Sequence, residues 1–306
     1  MNARQSTAAI IIGLALMPGA ASGQICGFGS ELLPFVPAAG WVDDRQGFVR
    51  LVNTWDTDAR VDFTATDDAG NAYELSLEVG AEATVHFNSD DLEYGNADKG
   101  GLSGTGAAPA RGHWRLCFPY GAHGVASTAY IRTRDGFLTD MTPSVYYGGT
   151  WDCGENEELC AEWHIPIFNP ASNVNQVSQL RVINNAEVDL SIIVNGVKGD
   201  GTVNLDATGR TRRVAGRIAS GTVQEFTSTE LETGEGLEEK LVAEVDADGS
   251  AIPLGSIGPA RGKWRLRVRS KGLVDSGDLV VVNLMETPTG HVTNLSSDNG
   301  DAWARR

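Results

Sequence analysis

Along most of the chain, apolar residues alternate one-for-one with polar ones in short runs. Val61, Phe63 and Ala65 share one parity, and Tyr73, Leu75, Leu77 and Val79 form a second run of the same kind. Successive side chains of a strand point to opposite faces, so a period of two predicts strands with one buried and one wet face. Polar turn strings separate the runs: Asn53 to Asp58 breaks the stretch from Val49 to Val61, and Asp68 to Gly70 closes the next strand. Turn signals about 8–12 residues apart are those of an antiparallel sandwich. Helix is expected only as single turns at Ser89 and Ser228, the second with Thr227 and Glu230 at capping-box spacing.

The strand pattern occurs twice. Phe35-Val-Pro-Ala38 recurs as Phe168-Asn-Pro-Ala171, and Gly47-Phe-Val-Arg-Leu-Val-Asn53 as Ser178-Gln-Leu-Arg-Val-Ile-Asn184. The string from Phe87 to Gly95 recurs from Phe226 to Gly234, Ala110-Arg-Gly-His-Trp-Arg-Leu116 as Ala260-Arg-Gly-Lys-Trp-Arg-Leu266, and Gly136 to Thr142 as Gly290 to Ser296. Five matches in one order mark a duplication. The separation between matched residues grows after Asn184 and again after Gly234, so the second copy carries two insertions, which belong in surface loops. The expected fold is all-β: two tandem immunoglobulin-like or related antiparallel β-sandwiches, at residues 24–143 and 163–297. A linker at 144–162 holds Cys153 and Cys160, and a polar tail occupies 298–306.

Within the Trp-Arg-Leu strand the two parities separate sharply. Trp264, Leu266 and Val268, like Trp114, Leu116 and Phe118, read as core. The opposite parity of the second copy collects Lys263, Arg265, Arg267, Arg269 and Lys271, a cationic stripe that Arg210, Arg212, Arg213 and Arg217 would extend. Two readings stand for it: pairing with carboxylates on neighbouring strands, or docking of an acidic partner such as an anionic polysaccharide or an acidic protein surface. Trp41, Trp55, Trp151 and Trp163 have no counterpart in the other copy, so a surface role stays open for them.

Composition adds the compartment. Arg4, the apolar run from Ala8 to Met17 and the small residues through Gly23 read as a secretory leader at 1–23, too short to span a bilayer. The formal charge of −16 argues against a general nucleic-acid binder, and no later segment is long and apolar enough for membrane insertion. Four cysteines in an oxidising compartment imply two disulfides. The expected pairs are Cys26–Cys117, with the leading segment crossing the outer face of the Trp-Arg-Leu strand, and Cys153–Cys160 around an acidic loop. A secreted or periplasmic location follows.

Gly262-Lys-Trp-Arg-Leu266 and Thr289-Gly-His-Val-Thr-Asn-Leu-Ser296 resemble a repeat module of large bacterial secreted and surface proteins, with the first copy departing at Phe137 where the motif has histidine. The resemblance implies an accessory, non-catalytic module.

Other constellations are weaker. His113, Cys117 and His123 have zinc-like spacing, but Lys263 and Arg267 replace the first two in the second copy, and an oxidised Cys117 cannot ligate. The loop Gly101-Leu-Ser-Gly-Thr-Gly106 misses the nucleophile-elbow pattern. Asp43-Asp44, Asp67-Asp68 and Asp90-Asp91 read as solvated turn residues, and His291 as a packing or turn residue. Glu244, Asp246 and Asp248 mimic the start of a calcium loop, but Gly255 stands where a closing glutamate is needed. No cofactor or metal is therefore expected. The function expected is a secreted, non-catalytic interaction or structural module. A carbohydrate-binding or adhesive protein is the alternative, and a hydrolase with an unrecognised site comes third.

Overall fold

The structure is a computed structural model that describes residues 26, 30–40, 45–118, 124–142, 147–152, 159–246, 248–260, 262–271 and 277–296, with the backbone alone at 147–152 and 159. The first repeat runs through β1 (Glu31–Val36), β2 (Gln46–Asn53), β3 (Ala59–Asp67), β4 (Ala72–Val79), β5 (Thr84–Asn88), α1 (Ser89–Tyr94), β6 (Trp114–Phe118), β7 (Val125–Arg132) and β8 (Leu138–Asp140). After β9 (Tyr147–Asp152) the same order returns as β10 (Leu159–Phe168), β11 (Val177–Asn184), β12 (Leu190–Lys198), β13 (Arg213–Ile218), β14 (Val223–Thr227), α2 (Ser228–Thr233), β15 (Trp264–Lys271), β16 (Leu279–Glu286) and β17 (Val292–Asn294).

Each repeat is a sandwich of two antiparallel sheets, ordered β1-β6-β3-β4 and β5-β2-β7-β8 in the first, and β13-β12-β15-β10-β9 and β14-β11-β16-β17 in the second. The β2–β5 and β3–β6 pairings match the B–E and C–F pairs of an immunoglobulin domain. The first and seventh strands, however, have exchanged sheets: β1 pairs with β6, and β7 with β2. The sandwich is therefore of the related rather than the strict immunoglobulin order. Part of the expected linker is strand, since β9 and the start of β10 fall within 144–162 and β9 edges the second sandwich.

The duplicated strings do the same physical work in both copies. Trp114 and Trp264 are fully buried, and their indole N–H groups donate to Glu93 Oε1 at 3.0 Å and Glu232 Oε1 at 2.8 Å. The Asn53 amide donates to the carbonyls of Thr57, Val79 and Gly80, and Asn184 repeats this with Val188, Ile218 and Ala219. Buried amides need such partners, because an unpaired one costs about 1–3 kcal/mol. Reciprocal capping boxes, Asn88 with Asp91 and Thr227 with Glu230, start α1 and α2. Gly196 on β12 is required for contact, since a Cβ there would come within 2.9 Å of the Trp264 ring.

The two sandwiches share an interface. Ile183, Val223, Val282, Leu284 and Val292, on the outer face of the β14-β11-β16-β17 sheet, join the apolar cluster of the first repeat. Amid them lies Arg181, fully buried, which donates to Asp68 Oδ2 at 2.9 Å and to Glu225 Oε1 at 2.7 Å and stacks over the Phe35 ring at 5.0 Å. Burial opposes its charge, but Asp68 and Glu225 more than offset that and hold its pKa above the ordinary value. Arg115 points out of its own sandwich as expected, yet it is buried against the second repeat and donates to the Gly221 carbonyl. Its desolvation lowers its pKa to about 10, so the side chain stays charged at neutral pH. Backbone bonding crosses too, Val223 N–H to Asp68 O at 3.0 Å.

Two expectations change here. Asp67 and Asp68 are buried rather than solvated: Asp67 accepts from Ala69, Asn71 and Ala110 N–H, and Asp68 pairs with Arg181. Their carboxylates are held because main-chain amides and a guanidinium replace the lost water. In the third pair, Asp91 serves as the capping residue while Asp90 is exposed; Asp43-Asp44 lies outside the described residues. The second copy has its own core, but alone it would expose the apolar face that the first repeat covers.

Removing one partner of a buried ion pair leaves the other charge stranded. Arg181→Ala and Asp68→Ala should each cost about 3–5 kcal/mol in urea unfolding, and the double variant should cost clearly less than their sum; additive losses would refute the coupling. Burial also depresses the pKa of His113, which lies near Arg181, Asp68 and Glu225 and accepts from Ala38 N–H through Nδ1. Below pH of about 6.5 the unfolded chain takes up a proton that the folded His113 resists, so stability falls as pH falls. Between pH 7.5 and 5.5 the unfolding free energy should drop more in the parent than in His113→Gln. Equal drops would contradict this.

Candidate functional site

The cationic parity of β15 does face solvent: Arg265, Arg267 and Lys271 are exposed and Arg269 is half-buried. Strand register decides what lies beside it. On one side β12 sets Ser191, Ile193, Asn195 and Val197 opposite Lys271, Arg269, Arg267 and Arg265, with no carboxylate among them. On the other side β10 sets Glu162 opposite Arg269 and His164 opposite Arg267. Glu162 pairs with Arg269 at 2.5 Å and His164 at 3.0 Å, and more loosely with Arg267 at 3.8 Å. Among the described residues Lys263, Arg265 and Lys271 make no ion pair. Cross-strand pairing accounts for two of the five cations and leaves three.

Beyond β12 lies β13, where Arg213 stands opposite Asn195. A row thus crosses the sheet as Arg267, Asn195, Arg213, the two arginines about 10 Å apart at two strand spacings. The same row in the first repeat reads Cys117, Thr64, Glu74, with the Thr64 hydroxyl donating to Glu74 Oε1 at 3.1 Å. One fold position has therefore exchanged a disulfide and a carboxylate for two arginines.

The two insertions of the second repeat wall this face. Residues 199–212 replace the short turn at 68–71, and they fold back through bridges Val197 to Val203 and Leu205 to Thr211. Residues 240–246 and 248–256, part of the longer connection between α2 and β15, meet the free edge of β13, where Ala215 and Arg217 N–H donate to Leu254 and Val242 carbonyls at 2.8 Å. Between them is a cleft of about 1060 Å³ lined by Arg210, Arg212, Arg213, Arg267 and Arg269. Its one carboxylate, Asp206, is engaged by the Thr208 hydroxyl and the Thr208 and Arg210 amides, which lower its pKa together with nearby Arg210. Arg210, Arg212 and Arg213 are exposed and make no ion pair among the described residues. Ile193 and Val197 give the floor apolar positions on either side of Asn195.

Of the expected stripe, Arg267 and Arg269 line the cleft, whereas Lys263, Arg265 and Lys271 lie outside it. Arg217 is half-buried beside it, with Nε unpaired. Glu162, Asn195 and Ile193 carried no distinguishing sequence signal.

The other constellations resolve differently. Cys26 and Cys117 form the expected disulfide, their Cα atoms 5.4 Å apart, so Cys117 has no thiolate to offer a metal. Cys160 is also disulfide-bonded; Cys153 and His123 lie outside the described residues. Asp246 and Asp248 accept amides of their own turn, from Asp248 and Ser250 at 2.8–3.1 Å, which occupies oxygens a calcium loop would use. His291 packs edge-on to Phe137 and stands 3.5 Å from Asp135, so it joins the repeats. Trp163 is core, Trp55 is 46% exposed, and nothing describes the side chains of Trp41 and Trp151. No helix among the described residues is long and apolar enough to cross a membrane.

No family model and no curated protein matches the chain. Among solved structures, an anti-sigma factor domain-containing protein is similar over 86% of this chain and 81% of that chain, at 8% identity and a TM-score of 0.19. That similarity is too low to carry an argument.

Among the described residues, Glu162 is the carboxylate that pairs with Arg267 and Arg269. Glu162→Gln should raise affinity for heparin at low salt, read by isothermal titration, because both guanidinium groups lose their internal counter-charge. An unchanged or weaker affinity would show that the two arginines do not contribute.

Proposed function

We propose that the chain is an exported, non-catalytic interaction module that captures an acidic partner in the arginine cleft of its second repeat. The observation carrying this reading is the cleft itself: five arginines line it, while Asp206 is committed to its own turn and Glu162 answers only Arg269 and, more loosely, Arg267. Like charges repel, and folding alone gives no reason to gather them, since the first repeat builds the same sheet with Cys117 and Glu74 in those places. Arginine suits the role because its planar fork grips carboxylate, sulfate or phosphate through two parallel hydrogen bonds. It suits catalysis poorly, because a group ionised across the working pH range cannot exchange protons with a substrate. The lining has no histidine, cysteine, lysine or glutamate among the described residues.

The export reading rests on the leader-like residues 1–23 and is supported by the disulfide. The accessory role comes from the resemblance at Gly262 to Leu266 and Thr289 to Ser296.

The mature chain should bind heparin or poly-glutamate at low salt and weaken toward physiological salt. Arg210→Ser, Arg213→Ser, Arg267→Ser together should abolish this while the melting temperature holds within a few degrees, as expected for exposed positions. Absence of binding to either polyanion at low salt would end the proposal.

A further inference from the structure

Floor, walls and backbone chemistry together narrow the class of anion. We infer that the cleft takes a linear anionic polysaccharide laid across β15, β12 and β13, a reading that rests on the cleft being the docking site for an acidic partner. The row Arg267, Asn195, Arg213 roots two arginines at backbone positions about 10 Å apart, with an amide-bearing residue between them. Along β12, Ile193 and Val197 flank that amide with apolar surface. A sugar ring has one chemistry for each: C–H groups for the aliphatic floor, hydroxyls for Asn195, and a carboxylate or sulfate for the arginines.

Other polyanions fit less well. A peptide recognised by a sheet gains its affinity by adding main-chain hydrogen bonds at an edge. Here the floor is the face of three paired strands, and the β13 edge is already taken by the Leu254 and Val242 carbonyls. An acidic peptide in the cleft would desolvate its amides without partners. Single-stranded nucleic acid is held chiefly by bases stacked on aromatic side chains, and the lining has none among the described residues. The same lack of a stacking ring disfavours a neutral glycan, which has no charge to compensate for it.

The insertions carry the specificity in this scheme. Thr211 and Ser256, one from each wall, add hydroxyls to the lining, and neither insertion exists in the first repeat. The binding face is thus a property of the second copy alone.

The test titrates the full mature chain with four probes of matched length at equal ionic strength: an alginate oligomer, a heparin oligomer, poly-glutamate and a cello-oligosaccharide. The inference expects at least one anionic glycan to bind about tenfold or more tighter than poly-glutamate, with no binding of the neutral glycan. The two glycans separate carboxylate from sulfate. Ile193→Ser should weaken the glycan but leave poly-glutamate unchanged, whereas Arg213→Ser should weaken both. Poly-glutamate binding as tightly as either anionic glycan would overturn the inference while leaving the acidic-partner reading intact. A neutral glycan binding equally well would overturn it as well. If no anion binds, the underlying reading fails.

Discussion

A guanidinium with no access to water organises this molecule. Arg181 belongs to the second sandwich, yet it is solvated by the first: Asp68, the Pro34 carbonyl and the Phe35 ring surround it together with its own neighbour Glu225. A charge so enclosed tolerates little displacement, because the Coulomb and hydrogen-bond terms that replace its hydration are short-ranged. The apolar residues around it supply area and the ion pair supplies register, a division of labour typical of buried charge in well-packed interfaces. The two sandwiches are therefore held together by directed polar contacts as well as by apolar area.

That docking decides which surface of the second repeat is left to evolve. A sandwich has two outer faces. One, on β14-β11-β16-β17, is consumed by the first repeat. The other, on β13-β12-β15-β10, is where both insertions gather and where the arginines stand. In the first repeat the matching face is partly closed in another way: Arg115 on β6 lies under the second repeat, and Cys117 is tied to Cys26. Duplication supplied two copies of one scaffold, and tertiary packing left them different exposed faces.

How much of this was legible in the sequence follows from the range of each interaction. Strand parity, the capping box at Thr227 and Glu230, and the inward tryptophans depend on neighbours a few residues away, and they were readable. The Cys26 pairing was readable because the duplication located Cys117 on an outward position of a known strand. The strand exchange of β1 and β7 was not, since period-two patterns say nothing about which sheet a strand joins. Asp68 misled for a similar reason. It follows β3 in a polar turn string, and the groups that bury it, the His113 N–H and the Arg181 guanidinium, lie 45 and 113 residues on. For the cleft, the stripe and the insertions were each visible, but Arg213 and Arg267 meet only through the register of β12.

The chain's charge of −16 sharpens what a cationic cleft can do. At physiological ionic strength fields decay over about 8 Å, so an approaching polyanion meets net repulsion from the acidic surface until it is nearly in contact. Inside the cleft the balance would reverse for the proposed partner, because five arginines line it and the walls of the two insertions reduce screening. On the proposed reading the net negative charge would disfavour broad polyanions at long range, and the arginines would act at contact on a thin chain that enters between the two insertions.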